Sequence, residues 1–541
     1  MKQFYASVWL TLLCATASAQ WSTDPANPLV VCDAPGAQTS MTAVHDGHGG
    51  YFVFWRDGRM GNSKYFLYGQ RYDSLGAAQW EANGRPVVTD TARTVSGFNA
   101  VSLGNGNFIL AYSSGLNTSG TTDTIRAMKY DGNATPQWDS AALIGGDDAS
   151  VLYVGAMELI EKDGGAYIAF ALTYIGGGVA QSVNRVDADG NVLWNYNGTA
   201  VPNSGYGPFN IAQDGAGGVF FYWRTGNGAG DPLRVQRVDE DGNMLWPTAV
   251  DPTAGTPGLG YDFRGTYDNN HGLILTWVKN GNDLLMARVD TAGALTWTPA
   301  VKTVCDYSSN QDIPRIAMLQ NQFYVAWVDN RPPAANADVY MQRFDMNGDP
   351  QWNPIGVRAS SVNTYIPYPE VVPSDSGSVI FTIERSGTDA FRANRMRMDS
   401  SIAWPNNGAQ LATQTLNPFY QEYKLLTAAD SGAVVFWKTQ NENIYGARVR
   451  YTGELFNAIE TVNANNIVTT YPNPSDNVIN FKLKHDERVR FLRVLSIDGR
   501  TQNVSLSESK KSADVEHLAS GVYVLEIETE NGLVRGKFVK H

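Results

Sequence analysis

Short apolar runs alternate with glycine-rich turns along most of the chain. In one unit, a Gly-Gly pair precedes the apolar run Tyr51–Trp55, and the alternating segment Tyr65–Tyr72 follows. An Asp-x-x-Gly turn at 73–76 and then Trp80 complete the unit. Gly and Asp tolerate the positive φ of tight turns, so the pattern predicts short strands joined by hairpins.

The tryptophan after the Asp-x-x-Gly turn sets the register of this repeat. It recurs in seven units, at Trp80, Trp138, Trp194, Trp246, Trp297, Trp352 and Trp404. An eighth unit, which starts near Asp430, has Phe456 at this place. Because these aromatic residues keep one position in the repeat, we expect them to pack between units rather than to bind sugars.

Each repeat unit is predicted to contain four strands. In the first unit these are Ser40–Val44, Tyr51–Trp55, Tyr65–Tyr72 and a strand that runs from Trp80 through Val88. A unit of ~55 residues cannot bury both faces of its sheet alone, and radial stacking of such sheets solves the problem. We therefore expect an all-β chain with an eight-bladed β-propeller over residues 20–462. It resembles the propeller-like repeat proteins that are common among secreted bacterial proteins. This resemblance predicts the fold but does not indicate an activity.

The two ends of the repeat region are predicted to complete one blade together. The N-terminal segment Trp21–Val31 is similar to Trp80–Val88, a fourth strand, but it lacks the three strands that should precede it. The last unit supplies three strands and a degenerate fourth. We expect Val30 to pair with the strand Tyr445–Val449, because this closes the ring and removes its exposed edges.

A different pattern begins after residue 466. Strands with alternating apolar residues are predicted at Val478–Leu483, Val489–Ile497, Val522–Ile527 and Leu533–Val539. Turn residues separate them, and no helical period is present. The sequence predicts a small β-sandwich over residues 471–541, after a linker at 463–470.

Four short motifs in this segment carry a family resemblance. Tyr471-Pro472-Asn473-Pro474 opens it, and Ile497-Asp498-Gly499-Arg500 and Leu518-Ala519-Ser520-Gly521-Val522-Tyr523 follow in order. Lys537-Phe538-Val539-Lys540 ends it. The segment resembles the C-terminal sorting domain of the type IX secretion system of Bacteroidetes. The resemblance implies that the secretion machinery is a partner and carries the protein through the outer membrane. The tag is then usually cleaved, and the protein is released or anchored to surface lipopolysaccharide.

The N-terminal residues have the pattern of a signal peptide. Lys2 supplies the positive charge, Val8–Leu13 the apolar core, and Ala17-Ser18-Ala19 the cleavage motif. We expect residues 1–19 to be removed by cleavage between Ala19 and Gln20. No other stretch is apolar and long enough to predict a transmembrane segment in the mature chain.

Charge and cysteine content narrow the choices further. The formal net charge of −12 argues against a nucleic-acid partner, which requires a cationic face. After cleavage the chain would retain Cys32 and Cys305. Both end the same kind of strand in separate units, farther apart than the roughly 7 Å that a disulfide allows, so we expect two free thiols.

The chain shows no recognisable catalytic or metal-binding motif. The six histidines lack metal-binding spacing, and no nucleophile–base–acid set stands out. The Asp-rich turns at Asp187 and Asp239 lack the acidic residue that a calcium loop has at its twelfth position. We expect no metal and no cofactor, and the question of enzymatic activity stays open.

The loops that follow the second strand of each unit vary in length and chemistry, whereas the opposite turns are regular. Binding residues usually lie on variable loops held by a rigid scaffold. Two of these loops share a Trp-x-Asp-x-Arg pattern. The candidate ligand-binding residues are Arg56, Asp57, Arg59, Arg224, Asp329, Arg331 and Lys438. The favoured interpretation pairs each arginine with its own loop aspartate, and the alternative is a basic rim for an anionic ligand.

Three functions remain open on the sequence. The first is a secreted or surface-bound binding module for an unknown glycan or protein, and the second is a polysaccharide-active enzyme. The third is a structural or adhesive surface component. Two or three carboxylates facing inward at one end of the channel would favour the enzyme, and a face of mixed polar residues would favour the binding module.

Overall fold

A computed structural model describes residues 21–541, with gaps in loops and linkers. The undescribed internal residues are 62–63, 89, 91, 117–122, 147–149, 203, 227, 229, 255–258, 280–282, 333–336, 361–367, 376, 385–390, 406, 414–422, 440, 457–467, 484–488, 497–500, 503, 505, 508–510 and 530–531. The predicted cleavage residues Ala19 and Gln20 and the motif residue Gly499 lie outside the described residues. Within the described part, no helix is long and apolar enough to cross a membrane.

The described residues up to Val449 form strands whose alternating side chains pack on neighbouring sheets. In chain order these strands are β1 (Leu29–Cys32), β2 (Gln38–His45), β3 (Tyr51–Asp57), β4 (Phe66–Tyr72), β5 (Arg85–Val88), β6 (Arg93–Ser102), β7 (Phe108–Leu116), β8 (Asp123–Tyr130), β9 (Ala142–Gly146), β10 (Val151–Lys162), β11 (Gly165–Tyr174), β12 (Val179–Val186), β13 (Thr199–Ala200), β14 (Phe209–Gln213), β15 (Val219–Arg224) and β16 (Leu233–Val238). They continue with β17 (Leu259–Tyr267), β18 (Gly272–Lys279), β19 (Asp283–Asp290), β20 (Val301–Cys305), β21 (Gln311–Leu319), β22 (Gln322–Asp329), β23 (Asp338–Asp345), β24 (Val357–Arg358), β25 (Val371–Pro373), β26 (Ser378–Glu384), β27 (Phe391–Arg397), β28 (Ala409–Ala412), β29 (Tyr423–Thr427), β30 (Ala433–Lys438) and β31 (Ile444–Val449).

These strands form antiparallel sheets in which neighbours in sequence are neighbours in space. We number them sheet 1 (β2–β5), sheet 2 (β6–β9), sheet 3 (β10–β13), sheet 4 (β14–β16), sheet 5 (β17–β20), sheet 6 (β21–β24), sheet 7 (β25–β28) and sheet 8 (β29–β31 with β1). The first strand of each sheet contacts the first strand of the next sheet, and β29 contacts β2. Sheets arranged radially around their first strands are the architecture of a β-propeller.

Sheet 8 is completed by the N-terminal strand, as the sequence predicts. β1 pairs antiparallel with β31, and Val30 lies opposite Tyr445. In sheet 1 the fourth strand begins later than predicted. It starts at Arg85 instead of Trp80, and Trp80 lies in the loop that precedes it. In sheet 4 the fourth strand is reduced to a single bridge between Val235 and Val250.

The repeated tryptophans connect neighbouring sheets. Each donates a hydrogen bond of 2.8–3.2 Å from its indole nitrogen to a carbonyl oxygen in the turn after the third strand of the next sheet, which is Asp-x-x-Gly in most sheets. Where the turn ends in glycine, that glycine lies against the indole ring, and a Cβ on Gly190 would approach the ring of Trp138 to 2.7 Å. The predicted packing role is confirmed. In sheet 8 the tryptophan is Trp21, which completes the set in place of the expected Phe456.

The described C-terminal residues form two more sheets. Their strands are β32 (Thr469–Tyr471), β33 (Val478–Lys482), β34 (Val489–Ser496), β35 (Thr501–Gln502), β36 (Leu506–Ser507), β37 (Ser512–Asp514), β38 (Gly521–Thr529) and β39 (Gly532–Lys540). One sheet has the order β32-β33-β37-β36 and the other β35-β34-β38-β39, with one apolar core between them. The first strand includes Thr469 and Thr470, two residues that the sequence assigns to the linker.

Candidate functional site

The seven candidate residues lie at the ends of second strands or in the loops that follow them, on what we call the loop face. They belong to sheets 1, 4, 6 and 8, so the structure does not gather them into one site. Asp57 and Asp329 end β3 and β22, while Arg224 and Lys438 end β15 and β30. Each group is therefore considered with its own neighbours.

Asp57 and Arg59 form a clamp between sheets 8 and 1. The Asp57 carboxylate accepts hydrogen bonds from the indole nitrogen of Trp55 at 2.7 Å and from Nε of Arg59 at 2.9 Å. The guanidinium group also donates to the Asn83 carbonyl oxygen at 2.8 Å, contacts Cys32 Sγ at 3.4 Å and lies 4.1 Å from the ring centroid of Tyr68. The predicted ion pair between Arg59 and Asp57 is confirmed, and its carboxylate is fully buried. Through the contact of Arg59 with Cys32, the pair holds the loop to β1.

Asp329 and Arg331 repeat this clamp between sheets 5 and 6. Asp329 accepts from the Trp327 indole at 3.0 Å, and Arg331 contacts Cys305 Sγ at 3.0 Å. Burial alone would raise the pKa of Asp329, but hydrogen bonds from Arg331 and Trp327 outweigh it and hold that pKa below its ordinary value. The charges of Arg59 and Arg331 are thus neutralised by their own aspartates, so neither arginine can contribute to a basic rim for an anionic ligand.

The clamp cysteines stay apart, as expected. Cys32 and Cys305 are both free and buried. Burial raises the pKa of the Cys32 thiol to about 11, which keeps it protonated at neutral pH. Both cysteines therefore act as packing groups beneath an arginine.

Arg56 and Lys438 are also engaged with their surroundings. Nε of Arg56 donates to the Val95 carbonyl oxygen at 3.0 Å, and its guanidinium group lies 4.5 Å from the ring centroid of Tyr65. Lys438 is buried at the end of β30. Arg56 therefore packs against its neighbours on the loop face, and Lys438 is largely withdrawn from solvent.

Arg224 lies beside a pocket between sheets 3 and 4. The pocket has a volume of about 420 Å³ and opens on the loop face. Its lining residues are Gly155, Ala156, Ala171, Thr173, Val179, Gln181, Gly205, Tyr206, Gly207, Pro208, Phe209 and Arg224. Arg224 is almost fully buried and donates to the Gly228 carbonyl oxygen. Among the sequence candidates, Arg224 is the one that lines this pocket.

The first strands carry a second polar feature that the sequence analysis missed. One residue in each first strand, or directly before it in sheet 7, lies opposite the fourth residue of the second strand's apolar run. These residues are Thr42, Asn99, Glu158, Asn210, Arg264, Arg315, Glu370 and Lys424. All eight are polar, although the residues beside them are mostly apolar. We call this set the polar ring.

The polar ring faces a common central space. The charges of Arg264 and Lys424 both act on the Glu158 carboxyl group, although they belong to sheets 5 and 8 and neither sheet adjoins sheet 3. Burial outweighs this attraction and raises the pKa of Glu158 above its ordinary value. The first strands therefore line a channel that contains partly protected charges.

Carboxylates and arginines form a network in the channel near the loop face. Asp262 accepts from Arg264 at 2.8 Å and lies 3.5 Å from Arg315, which also donates to Glu370 at 3.0 Å. Asp312 is a nearby residue that is open to solvent on one side. Its pKa is raised, because the surrounding protein partly desolvates the carboxyl group and the charge of Asp262 opposes its ionisation. Asp262 and Asp312 lie at bulges in β17 and β21, so the sequence alone did not place them beside the arginines.

The fold and the C-terminal segment together define an exported β-propeller protein. Residues 469–541 match the family described as Secretion system C-terminal sorting domain, which confirms the resemblance drawn from the motifs. The sorting domain places the protein on the cell surface or in the medium. Its handling by the type IX secretion machinery follows from the same match.

Solved structures with propeller domains resemble the chain only distantly. Prolyl oligopeptidase B from Galerina marginata is 10% identical with a TM-score of 0.40, over 75% of this chain and 54% of that one. The Hadza microbial sialidase Hz136 is 13% identical with a TM-score of 0.34, over 74% and 76% of the two chains. The GH93 α-L-arabinofuranosidase of Fusarium graminearum is 14% identical with a TM-score of 0.32, over 67% and 94%.

The chain spans about half the length of the prolyl oligopeptidases that it matches. No curated protein matches it significantly. At these TM-scores and identities, none of the activities named above bears on this chain.

Proposed function

We propose that the mature protein is a ligand-binding β-propeller displayed on the cell surface or released from it. In this proposal sheets 1–8 are eight blades of one closed ring, and the two C-terminal sheets form a sandwich that serves as the secretion tag. The return of the first-strand contacts from β29 to β2 supports the closed ring. The single core between the two C-terminal sheets supports the sandwich.

The pocket beside Arg224 is the observation that carries the binding function. Ligand sites are typically concave, mostly apolar and roughly 300–1,000 Å³ in volume, with a few polar groups that orient the ligand. The pocket has a volume of about 420 Å³, an apolar wall and the polar side chains of Gln181 and Arg224. It lies on the variable loop face, where a rigid scaffold presents binding residues.

A binding screen with the complete mature chain tests this function. The labelled protein is applied to a glycan array and to an array of extracellular matrix proteins, and saturable binding to at least one probe is expected. Ala156→Leu, which fills the pocket, should weaken that binding. Leu75→Ala, an exposed residue of a turn on the opposite face, should leave it unchanged. Absence of saturable binding on both arrays would contradict the proposal.

The channel carboxylates favour one second candidate, a polysaccharide-active extracellular enzyme. A glycosidase needs two carboxyl groups about 5–10 Å apart, one of which holds a proton at working pH. Asp312, with its raised pKa, and Asp262, ion-paired with two arginines, have these contrasting environments. Release of reducing ends from plant or microbial polysaccharides, abolished by Asp312→Asn at unchanged melting temperature, would support this candidate.

A further inference from the structure

The walls of the loop-face pocket combine an apolar surface with an exposed aromatic ring. Ala171, Val179, Pro208 and Phe209 contribute apolar surface. Tyr206 lines the same pocket but is 62% exposed, so its ring stands at the opening. A large aromatic residue left in water beside an apolar pocket is a common feature of recognition surfaces, because it supplies contact area at low entropic cost.

Gln181 adds a fixed hydrogen-bond acceptor to this pocket. Its Nε2 donates to the carbonyl oxygens of Gly205 at 3.0 Å and Gly207 at 2.6 Å, which fixes the orientation of the amide. The side chain is fully buried, and among the described residues its Oε1 accepts no hydrogen bond. An unsatisfied buried acceptor costs free energy, so an occupant that brings a hydroxyl or amide hydrogen would be favoured.

These features distinguish between classes of occupant. An aliphatic side chain of a partner protein would cover the apolar wall but would leave Oε1 without a donor. An anionic ligand would need an accessible basic group, whereas Arg224, the basic residue among those that line the pocket, is almost fully buried and donates to the Gly228 carbonyl oxygen. A sugar ring presents a C–H face and several hydroxyl donors, and it therefore matches both the wall and the acceptor.

We infer that the pocket binds one uncharged sugar ring of a glycan, stacked on Tyr206 and donating a hydroxyl or acetamido hydrogen to Oε1 of Gln181. This inference rests on the proposed binding function and names its ligand class. The volume of about 420 Å³ accommodates one ring with room for its linkage to a neighbouring residue.

Saturation-transfer NMR on the complete mature chain tests the inference. The probes are the methyl glycosides of galactose, mannose, fucose, xylose and N-acetylglucosamine, with methyl glucuronide as the anionic comparison. At least one neutral glycoside should receive saturation from the protein. Tyr206→Ala should weaken its affinity about tenfold, the effect of losing one aromatic stacking contact.

Two further variants keep the test specific. Tyr196→Ala removes an aromatic residue that is 48% exposed outside the pocket and should bind as the wild type does. Ala156→Leu should abolish binding by filling the pocket, with the melting temperature of each variant confirming that it folds. Transfer only to methyl glucuronide, or no transfer to any probe, would overturn the inference.

The proposed function has a separate outcome. Saturable array binding that Tyr206→Ala and Ala156→Leu leave unchanged would refute this pocket as the sugar site and keep the protein a binding module. If the wild-type protein bound to no probe on either array, the binding function itself would be refuted.

Discussion

The indole nitrogen of Trp21 donates a hydrogen bond of 3.2 Å to the carbonyl oxygen of Ser74. The corresponding bond in the next pair of sheets joins Trp80 to the carbonyl oxygen of Gly132 at 3.1 Å. Trp21, which precedes the first strand, thus takes the place that the repeat assigns to the tryptophan of its last unit. The first and last sheets are joined by the same contact as every other pair.

Replacement of Trp21 should therefore destabilise the whole propeller. The side chain is 2% exposed, and its ring lies within about 6 Å of the rings of Tyr51, Tyr72 and Phe436. Trp21→Ala should lower the free energy of unfolding by about 3–5 kcal/mol, as expected for a large aromatic residue removed from a core. Urea unfolding measures this. Trp352→Ala, at an equivalent but half-buried position, should cost less, and equal losses would contradict the special role of the closing contact.

The loop-face clamps should prove structural when they are broken. Asp57→Ala leaves the charge of Arg59 and the indole N–H of Trp55 without their acceptor, and removal of one partner of a buried ion pair costs about 3–5 kcal/mol. Asp329→Ala should behave in the same way. As a control, Glu81→Ala breaks the exposed pair with Arg85 and should cost no more than about 1 kcal/mol. Charge reversal at Arg59 and Arg331 that lowered ligand binding at an unchanged melting temperature would refute the structural role.

Two glutamines at equivalent positions offer a matched comparison. Gln38 lies opposite Asp57 and Gln311 opposite Asp329, and both are fully buried. Nε2 of Gln311 donates to the carbonyl oxygens of Tyr307 and Ser309, whereas neither amide atom of Gln38 has a hydrogen-bond partner among the described residues. Gln311→Met should lower stability by about 1–3 kcal/mol, and Gln38→Met should leave it unchanged or raise it. Thermal unfolding of the two variants measures this difference. An equal loss of stability in both variants would contradict the difference in hydrogen bonding between Gln311 and Gln38.

Much of this architecture was accessible from the sequence because it repeats. The register of Trp80 and its equivalents, and the similarity of Trp21–Val31 to a fourth strand, were sufficient to predict that Val30 pairs with the strand Tyr445–Val449, and in the structure it lies opposite Tyr445. The polar ring was not predicted. Arg264 and Arg315 keep an unbroken register from the hairpin turn, so comparing this one position across the repeats would have revealed the ring; only Asp262 and Asp312 lie at bulges, where the register cannot be counted from the turn. The pocket beside Arg224 was not predicted either, because two sheets form it and its lining residues share no sequence motif.

The buried carboxyl group of Glu158 should give the channel a measurable pH dependence. Burial raises its pKa above the ordinary value of 4.5, against the opposing charges of Lys424 and Arg264, with Tyr222 also close. Its protonation is thus favoured in the folded state, so its contribution to stability is complete below pH 4.5 and is lost as the pH rises through the folded-state pKa.

Glu158→Gln should consequently raise the melting temperature at pH 8 and have little effect at pH 4. The difference between variant and wild type, followed from pH 4 to pH 8, isolates this residue from other titrating groups. Glu81→Gln, at an exposed ion pair, should show no such rise at pH 8. A variant of Glu158 that is less stable at pH 8 would show that its ion pairing outweighs its burial.

Removal of the sorting domain should separate folding from export. A chain that ends before Thr469 should retain the folded propeller, because the core of the C-terminal sheets is self-contained. It should accumulate in the periplasm instead of reaching the surface or medium, which immunoblots of the fractions would show. A milder test is Tyr523→Ala, which removes the stacking of that ring on Phe538. Normal levels of the truncated protein in the medium would contradict the role of the tag.

The closing pair also has a consequence for how the chain becomes complete. β1 and β31 lie more than 400 residues apart in sequence, and Trp21 packs on Phe436 from the far end of the propeller. An interrupted chain that lacks its last strands leaves Trp21, Tyr51 and Tyr72 without their aromatic partner and β1 without its neighbour. Such fragments expose an unpaired strand and an apolar surface, the features that proteases and chaperones recognise. Sheet 8 can therefore form completely only after β30 and β31, the last two strands before the sorting domain, have been synthesised.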